Sequence, residues 1–275
     1  MVAAAVRRHY WNLERFGFTA PKLLRRLRGV AGPRVLCVCV PKSGTHLLER
    51  GLCIDPALRR KLVPTVNEEN LVGMGGFAQL VERMRGGEVL MSHLYHDDER
   101  EALLRRRGVR ALFMIRDPRD LVLSQAHYIR RESRHPLHDR FRELRELKPR
   151  LEICIRGDRT RGFLGVAERL RRFSGWLDGG ALPVRFESLI GASGGGDGER
   201  QASALGEIYR HLGLPADADC IRGRSRRTFS SASPTFRRGA AGQWREAFDD
   251  ETKTLFKQQA GRELVRYGYE HDTAW

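Results

Sequence analysis

Acidic residues are scarce in this 275-residue chain: 34 Asp and Glu stand against 50 Lys and Arg, a formal net charge of +16. An excess of that size, mostly arginine, attracts polyanions, whether nucleic acid, anionic lipid headgroups or a phosphorylated cosubstrate. Basic residues are not interleaved with aromatics and no zinc-finger spacing occurs, so the charge is not read as a nucleic-acid footprint. GC-rich coding produces the same arginine excess. Cysteine is also sparse. There are five, and Cys37, Cys39 and Cys53 lie in or beside one apolar segment, which suits buried free thiols in a reducing compartment. Metal-ligand spacing is missing, so no metal is expected. No apolar run reaches the length of about 18 residues that a membrane span needs. Residues 1–29 lack the apolar core of a signal peptide, so the expected location is cytoplasmic.

What is present suits a globular α/β protein: 41% of residues are hydrophobic, and strand and helix patterns alternate. The expected organisation is a basic helical extension over residues 1–30 and one domain over 31–275. The extension carries Arg7, Arg8, Arg15, Lys22, Arg25, Arg26 and Arg28 against a single acid, Glu14. Trp11, Leu13, Phe16 and Leu23 form its apolar side, which either packs on the domain or makes weak contact with a membrane surface. Strands are expected at 35–40, 88–92, 110–115 and 182–186, and helices at 46–52, 76–85, 97–107, from 118 through Tyr128, and at 161–177, 199–212 and 244–265. Residues 131–160, basic and with two prolines, read as an irregular lid or acceptor-binding segment. The segment after Pro215 reads as a basic loop, and Gly191 to Gly198 as a flexible exposed one.

Chemistry concentrates at Val40-Pro-Lys-Ser-Gly-Thr-His-Leu47, directly after the first apolar strand and opening a helix. Backbone N–H groups at such a helix start point at an anion, and Lys42 adds charge. Gly44 allows the chain to approach closely. The common NTPase loop places its lysine after the second glycine. Here lysine precedes the glycine, which points away from ordinary ATP or GTP chemistry. A second junction, Arg116-Asp-Pro-Arg-Asp120, supplies a helix cap, a proline for the first turn and an acid beside it. Arg116 ends the third strand, at the sheet edge where open α/β folds bind ligands.

Three separated elements resemble the sulfotransferases that use 3′-phosphoadenosine-5′-phosphosulfate (PAPS). Val-Pro-Lys-Ser-Gly-Thr at 40–45 is similar to the family's 5′-phosphosulfate loop. Ile-Arg-Asp-Pro-Arg-Asp-Leu-Val-Leu-Ser at 115–124 is similar to its 3′-phosphate motif, and Phe236-Arg-Arg-Gly-Ala-Ala-Gly-Gln-Trp244 to its C-terminal Arg-Lys-Gly…Gly-Asp-Trp segment. Val184 to Leu189 and Tyr267-Gly-Tyr269 are weaker matches. The resemblance implies a three-layer α/β fold, with a central, mostly parallel sheet, helices on both faces and a P-loop-like phosphosulfate loop.

It also implies a sulfuryl transfer from PAPS to a hydroxyl or amine. Lys42, Ser43, Gly44, Thr45 and His46 would hold the phosphosulfate, with Lys42 stabilising the leaving oxygen. Arg116, Ser124, Arg237, Arg238 and the N–H of Gly239 would hold the 3′-phosphate. Thr228 and Phe229 would neighbour the adenine. Met91-Ser-His-Leu-Tyr95 matches the family's Lys-Thr-His-Leu-Pro, making His93 the base, with His96, His46 and Glu49 as fallbacks. Met91 stands in place of that lysine, and Leu47 in place of a family tryptophan. The resemblance leaves the acceptor open among small molecules, glycans and lipids. Other readings are a phosphotransferase on a related fold, or a polyanion-binding protein without turnover.

Overall fold

Branched and sulfur-bearing side chains alternate between two faces along β1 (Arg34–Cys39), and all are buried from Val35 onward. A strand buried on both faces carries this continuous apolar run. The computed structural model describes residues 2–229 and 240–275, with side chains from residue 9 onward. β1 pairs in parallel with β3 (Glu88–Ser92) on one side and β4 (Val109–Ile115) on the other. A short β2 (Arg59–Arg60) lies outside β3. β5 (Gly157–Asp158) and β6 (Phe163–Leu164) form a separate antiparallel ribbon, and β7 (Leu182–Arg185) completes the main sheet beyond β4. The order is β2-β3-β1-β4-β7, so the chain crosses from one side of β1 to the other between β3 and β4. In open α/β sheets ligands bind at the carboxyl edge of the strands at such a reversal, here the edge of β1.

The chain forms two compact units, Met1–Ile115 with Trp176–Ala240 and Arg116–Gly175 with Ala241–Trp275. The first holds the main sheet with α1 (Val2–Phe16), α2 (Ala20–Leu27), α3 (Thr45–Cys53), α4 (Glu68–Leu71), α5 (Gly76–Glu82) and α6 (Asp98–Arg106). The second holds α7 (Pro118–Arg131), α8 (His138–Glu143) and α9 (Leu147–Arg156). The boundary falls within α10 (Val166–Asp178). Back in the first unit come α11 (Phe186–Leu189), α12 (Gly198–His211) and α13 (Ala218–Thr228), and in the second α14 (Trp244–Ala247) and α15 (Asp250–Arg266).

Helices cover both faces of the sheet. Val35, Cys37 and Cys39 meet Leu48, Leu52 and Cys53 of α3, Leu205, Ile208 and Tyr209 of α12 and Ile221 of α13. α6 packs on β4, with Leu104 buried. Each fully buried leucine, such as Leu48 or Leu52, contributes about 2 kcal/mol.

The four long strands fall where the sequence predicts them, but other segments differ: the helix expected from Arg161 begins only at Val166, because Phe163–Leu164 pair as β6. Residues 131–160 are not irregular: α8 and α9 bury Phe141, Leu151, Cys154 and Ile155. Pro149 falls in the first turn of α9, where its missing N–H has no partner to lose. The basic loop after Pro215 is largely α13, capped by the Asp217 side chain on the Cys220 N–H. The C-terminal helix is two, because Asp249 caps α15 separately through the Thr252 N–H.

Candidate active site

The turn after β1 supplies the site's backbone. Ser43 N–H closes on the Val40 carbonyl at 2.9 Å, and Lys42 takes φ +75°, the one non-glycine residue in the left-handed region among those described. Strain of this kind costs on the order of 1–3 kcal/mol and persists where the surroundings impose it. Gly44 follows at φ +108°. A Cβ there would stand 2.7 Å from a Phe186 ring carbon and 3.0 Å from the Met114 methyl, so the cradle accepts only glycine.

α3 then begins without a side-chain cap. Leu47 and Leu48 N–H return to the Gly44 carbonyl, but Thr45 and His46 precede the first position that has an intrahelical acceptor. The Ser43 hydroxyl is fully buried and has no hydrogen-bond partner. The Thr45 hydroxyl turns inward to the Cys39 thiol, leaving its backbone N–H as the group available to an anion. Uncapped donors, an orphaned hydroxyl and a glycine-only cradle together fit a bound oxyanion.

His93 stands just past the carboxyl end of the neighbouring strand, β3. Its N–H donates to the Val66 carbonyl at 2.7 Å, and its Nδ1 lies 2.7 Å from the Cys39 carbonyl. A carbonyl only accepts, so Nδ1 carries the proton and Nε2 keeps a lone pair. Burial pushes the His93 pKa below its ordinary value of 6.5; the Cys39 bond opposes this, and the nearby Lys42 and His46 reinforce it. The imidazole is thus held neutral, in the tautomer of a base.

The fallback bases are committed elsewhere. Glu49 is buried, its Oε2 3.0 Å from Arg60 Nη1 and 3.1 Å from Arg15 Nη2, with His46 Nδ1 at 3.5 Å. Burial alone would raise its pKa, but His46, Arg60 and Arg15 together hold it below the ordinary value. His96 Nε2 meets Glu101 Oε2 at 2.9 Å, and its ring stands edge-on to Trp176 at 5.1 Å.

Lys42, Ser43, Gly44, Thr45, His46 and His93 are therefore gathered at one sheet edge. Thr228 is not among them. It is buried at the end of α13 against Gly51, and its hydroxyl donates to the Arg224 carbonyl at 2.9 Å. Phe229 packs on the core near Gly194. Met91 points into the core and Leu47 packs against it. Arg237, Arg238 and Gly239 lie outside the described residues.

Arg116 and Ser124 belong to the second unit. Arg116 is buried, with Nη2 3.6 Å from Asp120 Oδ2, and Ser124 is half-buried on α7. This junction holds two residues that sequence reasoning gave only local duties. Asp120 accepts the N–H groups of Gly242 at 2.7 Å and Trp244 at 3.0 Å, fastening the Gly-Gln-Trp segment to α7. Burial raises the Asp120 pKa against the pull of Arg116 and those two donors. Arg119 is buried between the rings of Trp244 and Trp275, 3.9 and 4.5 Å from their centroids, and bonds Asp117 and Glu270. The available signal was the alternation of acid and arginine over 116–120, which is more than one helix start requires.

No family model and no curated protein matches this sequence. Solved structures do match in fold. Mouse sulfotransferase SULT7A1 complexed with PAP aligns over 85% of this chain and 86% of its own, at 16% identity and TM-score 0.61. Retinol dehydratase with androsterone and the inactive cofactor PAP aligns over 89% and 85%, at 15% identity and TM-score 0.53. Its complex with retinol and PAP aligns over 89% and 86%, at 14% identity and TM-score 0.51. The chain therefore has a sulfotransferase-like α/β fold.

Proposed function

We propose that the chain is a sulfotransferase that moves a sulfuryl group from PAPS to an acceptor hydroxyl or amine. The observation that carries this is the open start of α3, with the orphaned Ser43 hydroxyl and the glycine cradle, beside a histidine whose tautomer is fixed for base work. The PAP-bound neighbours support the choice of donor, and androsterone and retinol, both alcohols, favour a hydroxyl. Small molecules, glycans and lipids are the acceptor classes in play.

The donor supplies a sulfuryl group already activated by its phosphate. The N–H groups of residues 44–46 and the Ser43 hydroxyl hold the phosphosulfate oxygens. His93 Nε2 takes the proton as the acceptor oxygen bonds to sulfur. The bond from sulfur to the bridging oxygen breaks, and Lys42 compensates the charge left on that oxygen. The products are the sulfated acceptor and adenosine 3′,5′-bisphosphate, and the residues require no metal. Arg116 and Ser124, with Arg237, Arg238 and the Gly239 N–H, are assigned to the 3′-phosphate, and Thr228 and Phe229 to the vicinity of the adenine. The arginines suit their role by chemistry, since paired guanidinium N–H groups match phosphate oxygens.

Thermal unfolding with adenosine 3′,5′-bisphosphate, adenosine 5′-monophosphate and ATP tests the reading. The bisphosphate should give the largest shift, since it alone carries both the 5′- and 3′-phosphates. Equal shifts from all three overturn the two-phosphate assignment, and a dominant ATP shift favours a phosphotransferase.

A further inference from the structure

α2 is built inside out. Lys22 is 4% exposed, its Nζ donating to the Cys53 carbonyl at 2.5 Å and to that of Leu58, whereas Leu24 is 53% and Leu27 84% exposed. Leu23, Leu24 and Leu27 fall within an arc of about 100° on the helix. Arg26 and Arg28 border that arc.

α1 follows the same plan. Glu14, the single acid of residues 1–30, is 5% exposed and paired with Arg227, and Arg15 is spent on Glu49. Trp11 packs inward, with Arg50 4.5 Å from its ring centroid. Tyr10 and Leu13 face out, as does Phe18 just beyond the helix. Seven of the nine large apolar side chains exposed among the described residues fall between Tyr10 and Val30, so surface hydrophobicity is concentrated there. Glu14 and Lys22 are turned inward, no acid is exposed among residues 9–30, and arginines and Asn12 accompany the outward side chains.

A cavity of about 180 Å³ opens beside it, lined by Lys22, Arg25, Arg26, Val30, Leu58 and Arg59. Arg25 Nε is buried there without a hydrogen-bond partner. We infer that this face docks on an anionic phospholipid surface, with Leu23, Leu24 and Leu27 among the lipid chains and a headgroup phosphate in the cavity at Arg25. An apolar arc flanked by arginine and cleared of exposed acid is the arrangement that partitions into a charged interface. A second copy of the chain fits poorly, since an isologous contact sets the same arginines against one another. The inference is independent of the chemistry at the phosphate loop.

Flotation of the full chain with vesicles of phosphatidylcholine alone, and with phosphatidylglycerol at three to one, provides the test. Binding should require the anionic lipid. The double variant Leu24→Ser/Leu27→Ser keeps every charge, so any general attraction due to the net +16 is unchanged, yet its partition should fall about tenfold. Arg25→Gln should weaken binding about threefold, as one headgroup contact is lost. Circular dichroism and thermal unfolding of each variant verify that the fold is intact. Failure of the native chain to float with anionic vesicles overturns the proposal, as does equal partition of the leucine double variant. A concentration-dependent dimer abolished by that double variant also overturns it, by assigning the face to a second copy.

Discussion

The turn from β1 into α3 and the turn from β4 into α7 use similar materials, a strand end, a few polar residues and a cation, but they complete their hydrogen bonding differently. At the first, Gly44 leads a helix with no side-chain cap, the Ser43 hydroxyl is buried without a partner, and Lys42 is held in a left-handed conformation. At the second, Asp117 caps the Arg119 N–H, Asp120 takes two more backbone donors, and Arg119 is enclosed by two carboxylates and two indole rings. A helix start that satisfies itself stabilises the apo fold. One that does not gives up part of that stability, and a bound anion restores it.

If the contrast is right, substitutions at the two turns should fail in different assays. The largest effect belongs to Arg119→Ala, which leaves Asp117 and Glu270 without their buried partner and should cost about 3–5 kcal/mol of unfolding free energy in urea titration. Lys42→Ala should instead leave the urea midpoint nearly unchanged while lowering turnover about a thousandfold, on the order of 4 kcal/mol of transition-state stabilisation. A Lys42→Ala protein that unfolds early would erase the contrast.

His93→Gln should lower turnover about a hundredfold with little change in donor affinity. In the native chain, activity should hold through neutrality and fall only on the acid side of the ordinary histidine range, because the His93 pKa is lowered. The same shift has a stability sign. The unfolded chain binds the proton first as pH falls, so His93's contribution is present above the ordinary value of 6.5 and is lost as pH falls through its lowered folded value. An acid limb at or above the ordinary value would remove His93 from the base role. The smallest effect is expected of Ser43→Ala. Deleting an unsatisfied buried hydroxyl should stabilise the apo protein by about 1 kcal/mol and reduce the thermal shift given by adenosine 3′,5′-bisphosphate.

Much of this was legible because parallel strands buried on both faces must be written as continuous apolar runs, as at 35–40 and 110–115. The β1 loop was legible for a related reason: Lys-Ser-Gly-Thr has few uses between such a strand and a helix. β2 was not legible, since two residues carry no period. α13 was missed because it buries only Ile221 and Thr228, too little for a visible stripe. The long reach of Asp120 to Gly242 and Trp244 leaves no local trace. The extension was legible only in outline: nothing in its sequence marks Lys22 as the buried residue of α2 while Leu24 and Leu27 stay exposed.

His93 keeps its proton on Nδ1 because a main-chain oxygen, not a side chain, receives it. Any residue at position 39 presents that same carbonyl. The setting is thus written in the alignment of β1 with β3, Val38 beside Ser92, and not in the identity of a partner amino acid. Point substitution can remove the imidazole, but it cannot easily reverse its polarity. To do that, the two strands would have to slide past one another, at the expense of the whole core beneath them.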